Sequence, residues 1–264
     1  MKHLLEICVD SVESAQNAQQ GGADRLELCS NLIIGGTTPD PALIRLVKRE
    51  VNIPVRVLLR PRFGDFCFTD YEKEMQLMQI EQCRQLGADG VVVGALLPDG
   101  NLDEEFLRAC AAAAKGMGLT MHRAFDVCAD AERALETAVS IGFDTILTSG
   151  QAAKAPAGKD CLAKLCRQAE GRITIMAGSG VNPDNMPNLA KAGICTFHFS
   201  AKKCAESPMQ YRAEGIPMGL PVADEYLREY TDASEVARAK KFYLSCNCRA
   251  AHAKTSREGY MKYT

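Results

Sequence analysis

No tryptophan occurs in the 264 residues, and aromatic residues make up only 6% of them. A surface that stacks nucleic-acid bases leans on aromatic faces, so no nucleic-acid partner is expected. An excess of one charge is missing too. Against 31 Lys and Arg stand 33 Asp and Glu, a formal net charge of -2. Such a balance gives no long-range pull toward nucleic acid or an anionic membrane. No stretch approaches the length of apolar residues needed to span a bilayer, so no membrane partner is expected. The opening run is broken by Glu6 and Asp10 and does not read as a signal peptide. Twelve cysteines are present without one Cys-x-x-Cys pair, which removes thioredoxin-type and most zinc-finger readings. The expected compartment is a reducing cytoplasm, with most thiols serving as small apolar core residues.

What is present is a series of eight short apolar runs. They are Leu4–Val9, Asp24–Cys29, Pro54–Arg60, Asp89–Gly94, Leu119–Ala124, Thr145–Thr148, Arg172–Met176 and Cys195–Phe199. A helical pattern follows each of the first seven. Strands alternating with helices read as βαβ units on a parallel sheet, and eight of them predict a (β/α)8 TIM barrel. A near-repeat supports the count. Gly22-Ala23-Asp24, Gly87-Ala88-Asp89, Gly142-Phe143-Asp144 and Gly193-Ile194-Cys195 stand before strands two, four, six and eight. The glycine can end a helix with positive φ. Residues 1–203 are therefore expected to form the barrel core, and 204–264 a C-terminal extension of loops and helix packed on it. Within the extension, Asp224 to Lys241 is predicted helical with a break near Thr231-Asp232. Residues 246–264, with Cys246, Cys248 and His252, read as a surface tail.

Strand alternation assigns the inward faces. One face carries Glu6, Cys8 and Asp10, the next Glu27 and Cys29, then Arg56, Arg60 and Arg62, then His122 and Asp126, and last His198 and Ser200. Inward charges must pair or meet water at the barrel mouth. The expected network sets Glu6 and Glu27 against Arg60 or Arg56, with His122 and His198 nearby. Glu6, Glu27, His122 and Asp126 are the acid/base candidates. Arg60, Arg62, Asp65, Arg123 and His198 are candidates for holding a substrate or anion. Gly178-Ser179-Gly180 after strand seven, with Ser200 and Lys202 after strand eight, matches the place where barrels often bind phosphate. The same features also admit plain readings: an Arg–Glu lattice as a packing solution, and Gly-Ser-Gly as a tight turn. For a metal, Cys8 and Cys29 are the candidate ligands near the mouth.

Several stretches together resemble the CutC family. They are Glu6–Ser14, Gly21–Cys29, Gly35–Pro39, Arg60–Phe66, His122–Val127, Leu147–Gly150, Ile175–Val181 and Ser207–Arg212, in family order. The resemblance covers about residues 3–242. It implies a TIM-barrel fold, a cytoplasmic location and a part in copper homeostasis, with copper as the cofactor or cargo. The chain departs from the family pattern at Arg56, often His, at Phe63, often Gly, and at Phe199, often Ser. Two functions are carried forward. One is copper handling by Cu(I) binding at Cys8 and Cys29. The other is an enzyme acting on a small anionic or phosphorylated metabolite. Whether the chain is an enzyme stays open, and a scaffold role stands third. The expected partners are a small anionic molecule or a metal ion, and a homodimer is the prior for a soluble oligomer.

Overall fold

A computed structural model describes residues 3–213, 215–216, 219–220 and 223–243; the Cys246, Cys248 and His252 tail lies outside them. Eight parallel strands close on themselves in sequence order. They are β1 (Leu4–Val9), β2 (Arg25–Leu28), β3 (Val55–Leu58), β4 (Gly90–Val93), β5 (Gly118–Met121), β6 (Thr145–Thr148), β7 (Thr174–Ala177) and β8 (Thr196–Phe199). Seven helices follow the first seven strands: α1 (Val12–Gln20), α2 (Pro41–Glu50), α3 (Asp70–Gln85), α4 (Glu104–Ala113), α5 (Ala131–Ile141), α6 (Lys159–Ala169) and α7 (Met186–Lys191). The result is a TIM-barrel-like α/β fold.

The main apolar core lies between barrel and helices. Leu5, Ile7 and Val9 of β1, Leu26 and Leu28 of β2 and Val55 and Val57 of β3 all belong to it and are inaccessible to solvent. Their period-two partners face the barrel interior. Helix starts are fixed by side-chain caps. Thr69 and Glu72 form the reciprocal capping box of α3, while Ser11 caps α1 through the Ser14 amide alone.

The Gly-x-Asp repeat has a clear mechanism. Gly22, Gly87 and Gly142 take positive φ, and Ala23, Ala88 and Phe143 bury behind them. The carboxylates of Asp24, Asp89 and Asp144 then accept backbone N–H groups of Leu5, Val55 and Leu119, at 2.9, 2.8 and 2.8 Å. Each aspartate ties its own strand to the start of the preceding one, which closes the N-terminal end of the barrel. Arg56 belongs to this end. It grips Asp144 with both terminal nitrogens and reaches Thr120.

The C-terminal region departs from expectation. Part of the predicted helix is a strand: β9 (Lys202–Glu206) pairs antiparallel with β10 (Leu227–Thr231). The helix, α8, covers 233–243. Its Val236, Ala239 and Tyr243 are buried. Val236 rests so close to Gly21 that an added Cβ there would meet it at 2.5 Å. The Tyr243 hydroxyl reaches the carbonyls of Leu4 and Cys195, at 2.8 and 3.1 Å. The helix thereby completes the outer layer beside β1 and β8. Among the described residues, no helix is long and apolar enough to cross a membrane.

Candidate functional site

A cavity of about 490 Å³ opens at the C-terminal ends of the strands. Cys8 of β1, Glu27 of β2, Arg60 after β3, His122 and Arg123 after β5, and His198 of β8 line it. Ser179 and Gly180 after β7 and Ser200 and Lys202 after β8 complete one side. This is the face on which barrels of this type place chemistry.

The floor is built by strand register. Glu6 stands beside Arg25 of β2 and beside His198 of β8, and Cys8 stands beside Glu27. Glu6 is fully buried, and its carboxylate bonds Arg25 on one oxygen and His198 Nδ1 at 2.8 Å on the other. The expected partners Arg60 and Arg56 do not serve it. Arg25 does, because it alternates onto the same inward face as Glu27. Burial opposes the charge on Glu6, but Arg25 and His198 outweigh burial and hold it down at about 2. Glu27 has no such grip. Its nearest cation is His198 Nε2 at 3.7 Å. Burial, helped by the neighbouring Glu6 charge, pushes Glu27 up to about 7 against the pull of His198 and Arg25. Burial also opposes charge on His198. Negative charge at Cys8 and Glu27 and the hydrogen bonds that the ring donates to Cys8 and Glu6 outweigh it and raise His198 well above its ordinary value.

One ligand atom from each of Cys8, Glu27 and His198 lies within 4.8 Å of the other two. Cys29 is not in this group. Its thiol is fully buried and donates to the Val9 carbonyl at 3.6 Å. Burial, with the Cys8 and Glu27 charges adding to it, pushes that thiol far up.

The opposite wall is His122 on Phe66. The ring centroids are 4.9 Å apart. His122 Nδ1 accepts the Ala124 N–H at 3.1 Å, so the ring proton resides on Nε2. Burial and then the Arg60 charge lower His122 to about 3, which keeps it neutral. Room for the ring comes from Gly94, where an added Cβ would lie 2.6 Å from Nδ1.

Other predicted residues lie outside this lining. Arg62 and Asp65 pair with each other, and Arg62 also holds Glu72 at the start of α3. Asp126 is a loop clamp: it accepts Thr148 Oγ1 at 2.5 Å and the Ser149 amide, and it pairs with Arg123. Gly178 packs on Leu147, whose Cδ1 an added Cβ would overlap, and lies beside His198. Arg25, Phe66 and Gly94 were not singled out in the sequence. Arg25 carried a readable signal, since it is inward by the same alternation as Glu27. Phe66 and Gly94 are placed by tertiary contacts that no local pattern announces.

The CutC family model matches residues 3–203. Over 237 residues the chain is 46% identical to the family protein CutC of Chromobacterium violaceum, spanning 89% of this chain and 96% of that protein. It is 43% identical over 235 residues to the copper homeostasis protein cutC homolog of Homo sapiens, spanning 88% and 86%. The crystal structure of CutC from Streptococcus agalactiae superimposes with a TM-score of 0.72 at 29% identity, over 75% of this chain and 99% of that one. The family-model match over residues 3–203 and 46% identity over 89% of the chain lead to one statement: the chain belongs to the CutC family.

Proposed function

We propose that the chain binds a transition-metal ion, with copper as cargo, at Cys8, Glu27 and His198 in the cytoplasm. The observation that carries this reading is the convergence of the three ligand atoms within 4.8 Å on adjacent strands. Glu6 supports it. By engaging His198 Nδ1 it leaves Nε2 directed at Cys8 and Glu27, the arrangement in which a carboxylate orients a metal-ligating histidine. A sulfur, nitrogen and oxygen set suits a borderline ion such as Cu(II) or Zn(II), and Cu(II) binds such sets more tightly. The thiolate also suits Cu(I). The human relative's description as a copper homeostasis protein agrees with copper. The test is an anaerobic competition titration with Cu(I), repeated with Cu(II) and Zn(II), on the intact protein and on Cys8→Ser. About one ion per chain, lost in the variant, is expected; binding unchanged in Cys8→Ser ends the proposal.

A second reading is favoured by the rest of the cavity. An enzyme acting on a small anionic or phosphorylated metabolite would use Glu27, poised at about 7, to exchange a proton near neutrality. The neutral His122 N–H would polarise a carbonyl or hold an oxyanion. Screening the protein with small organic acids and phosphorylated sugars tests it. Turnover abolished in Glu27→Gln with substrate binding kept is the supporting result.

A further inference from the structure

Among the described residues, five buried side-chain nitrogen or oxygen atoms have no hydrogen-bond partner. Two of them, His122 Nε2 and Arg60 Nε, belong to residues that line the same cavity. Both residues pack on one ring: the Arg60 guanidinium carbon is 5.2 Å from the Phe66 centroid, and the His122 ring 4.9 Å. Both atoms are donors. The Ala124 N–H occupies His122 Nδ1 and leaves the proton on Nε2. Arg60 Nε carries a hydrogen in every state. The remaining Arg60 nitrogens are spent on the carbonyls of Ile34, Gly35, Gly36 and Gly64. A buried donor without an acceptor is costly, and such gaps in a cavity wall mark where an acceptor belongs.

We infer that the His122–Arg60 corner holds the carboxylate of a small organic acid, one oxygen on each free N–H. The inference rests on the second reading above, that the cavity takes a small anion, and it names the anion. Two donors and one guanidinium charge match a monoanion with two oxygens. A phosphate dianion asks for more donors and more charge. The other cations of the lining are already engaged: Arg123 with Asp126, Lys202 with Glu229, and His198 with Glu6. The fixed loop carbonyls around Arg60 hold the guanidinium still, so its Nε–H is preorganised rather than recruited.

The experiment follows the His122 Nε2 resonance in intact protein labelled with nitrogen-15 in histidine. Acetate, pyruvate and inorganic phosphate are added separately up to tens of millimolar. The expected result is a saturable shift with pyruvate or acetate. In His122→Phe, which keeps an aromatic ring on Phe66, calorimetry should find that binding weakened roughly tenfold or more. The titration of the unsubstituted protein decides the matter alone if that variant does not fold. A response to phosphate only, registered at His198 rather than at His122, would overturn the carboxylate assignment while leaving the small-anion reading intact. Equal carboxylate affinity in His122→Phe would overturn it as well. No response of His122 or His198 to any probe would overturn both.

Discussion

Glu6 places one carboxylate oxygen 2.8 Å from His198 Nδ1 and the other on Arg25, so a single fully buried anion organises two cations on neighbouring strands. Removing it leaves Arg25 buried without its partner. Glu6→Gln is therefore expected to cost about 3–5 kcal/mol of stability, read by urea unfolding at neutral pH. The pH dependence has a definite sign. The folded value of about 2 lies below the ordinary 4.5, so the stabilisation is complete above 4.5 and is lost as pH falls toward 2. The acid limb of the stability profile should flatten in Glu6→Gln.

Glu27 gives the opposite slope. Its folded value of about 7 lies above the ordinary 4.5. Stability from the protonated form is complete below 4.5 and is lost as pH rises through 7, a difference on the order of 3 kcal/mol. His198, itself raised, adds a loss of the same sign above its ordinary 6.5. The charged groups around Glu27 are His198, Glu6 and Arg25. Urea unfolding of the protein and of Glu27→Gln from pH 4.5 to 7.5 is the measurement. The unsubstituted protein should lose stability relative to the variant across that window; parallel profiles would contradict the assignment.

How far this site could be read in advance depends on what fixes each residue. Alternation put Glu6, Cys8, Glu27, His122 and His198 on inward faces, because period two is a property of any strand. It did not say who pairs with whom. That Glu6 meets Arg25 rather than Arg60 follows from the β1–β2 register, Glu6 beside Arg25, which barrel closure sets. The Gly-x-Asp repeat was legible as punctuation, but its carboxylates' bonds to Leu5, Val55 and Leu119 cross between strands and have no local trace. Leu227–Thr231 was misread because an exposed edge strand lacks the buried stripe that distinguishes strand from helix.

The two mouth cysteines should behave differently toward metal. Cys8 faces Glu27 and His198, whereas Cys29 is sealed under the loop with its thiol on Val9. Cys8→Ser is expected to lower metal affinity by roughly 100-fold, a thiolate being the main anchor for soft ions. Cys29→Ser is expected to change it by less than about threefold. Affinity for Cys8-anchored metal should also rise with pH, because binding displaces the proton that His198 carries. Competition titrations of both variants at pH 6 and 8 check all three statements.

Asp126 offers a separation of stability from site chemistry. Its buried carboxylate accepts from Thr148 and from the Ser149 amide, holding the loop after β6 against the turn after β5. Asp126→Ala strands these donors and should cost about 2–4 kcal/mol. Metal binding at Cys8, Glu27 and His198 should survive at temperatures where the variant is folded. Thermal unfolding together with a metal titration reads both effects.

Gly94 tests whether the His122 wall must stand where it does. The residue follows β4 directly, and a Cβ there would lie 2.6 Å from His122 Nδ1 and 3.1 Å from the Ala124 methyl. Neither neighbour yields easily. The imidazole is tied to the Ala124 amide and packed on Phe66, and Ala124 is fully buried. Gly94→Ala should therefore force the ring to rotate and break its bond to Ala124. A destabilisation of about 1–3 kcal/mol is expected from the overpacking. The functional consequence is more specific. Once Nδ1 loses the Ala124 hydrogen, the ring proton is no longer confined to Nε2, and the unpartnered donor is weakened. Nitrogen-15 spectra of His122 should show mixed tautomers in Gly94→Ala and one tautomer in the unsubstituted protein. Carboxylate affinity should fall together with that change, while metal affinity at Cys8 stays unchanged. A variant that retains a single Nε2–H tautomer at full stability would show that the space beside Gly94 is not what positions His122.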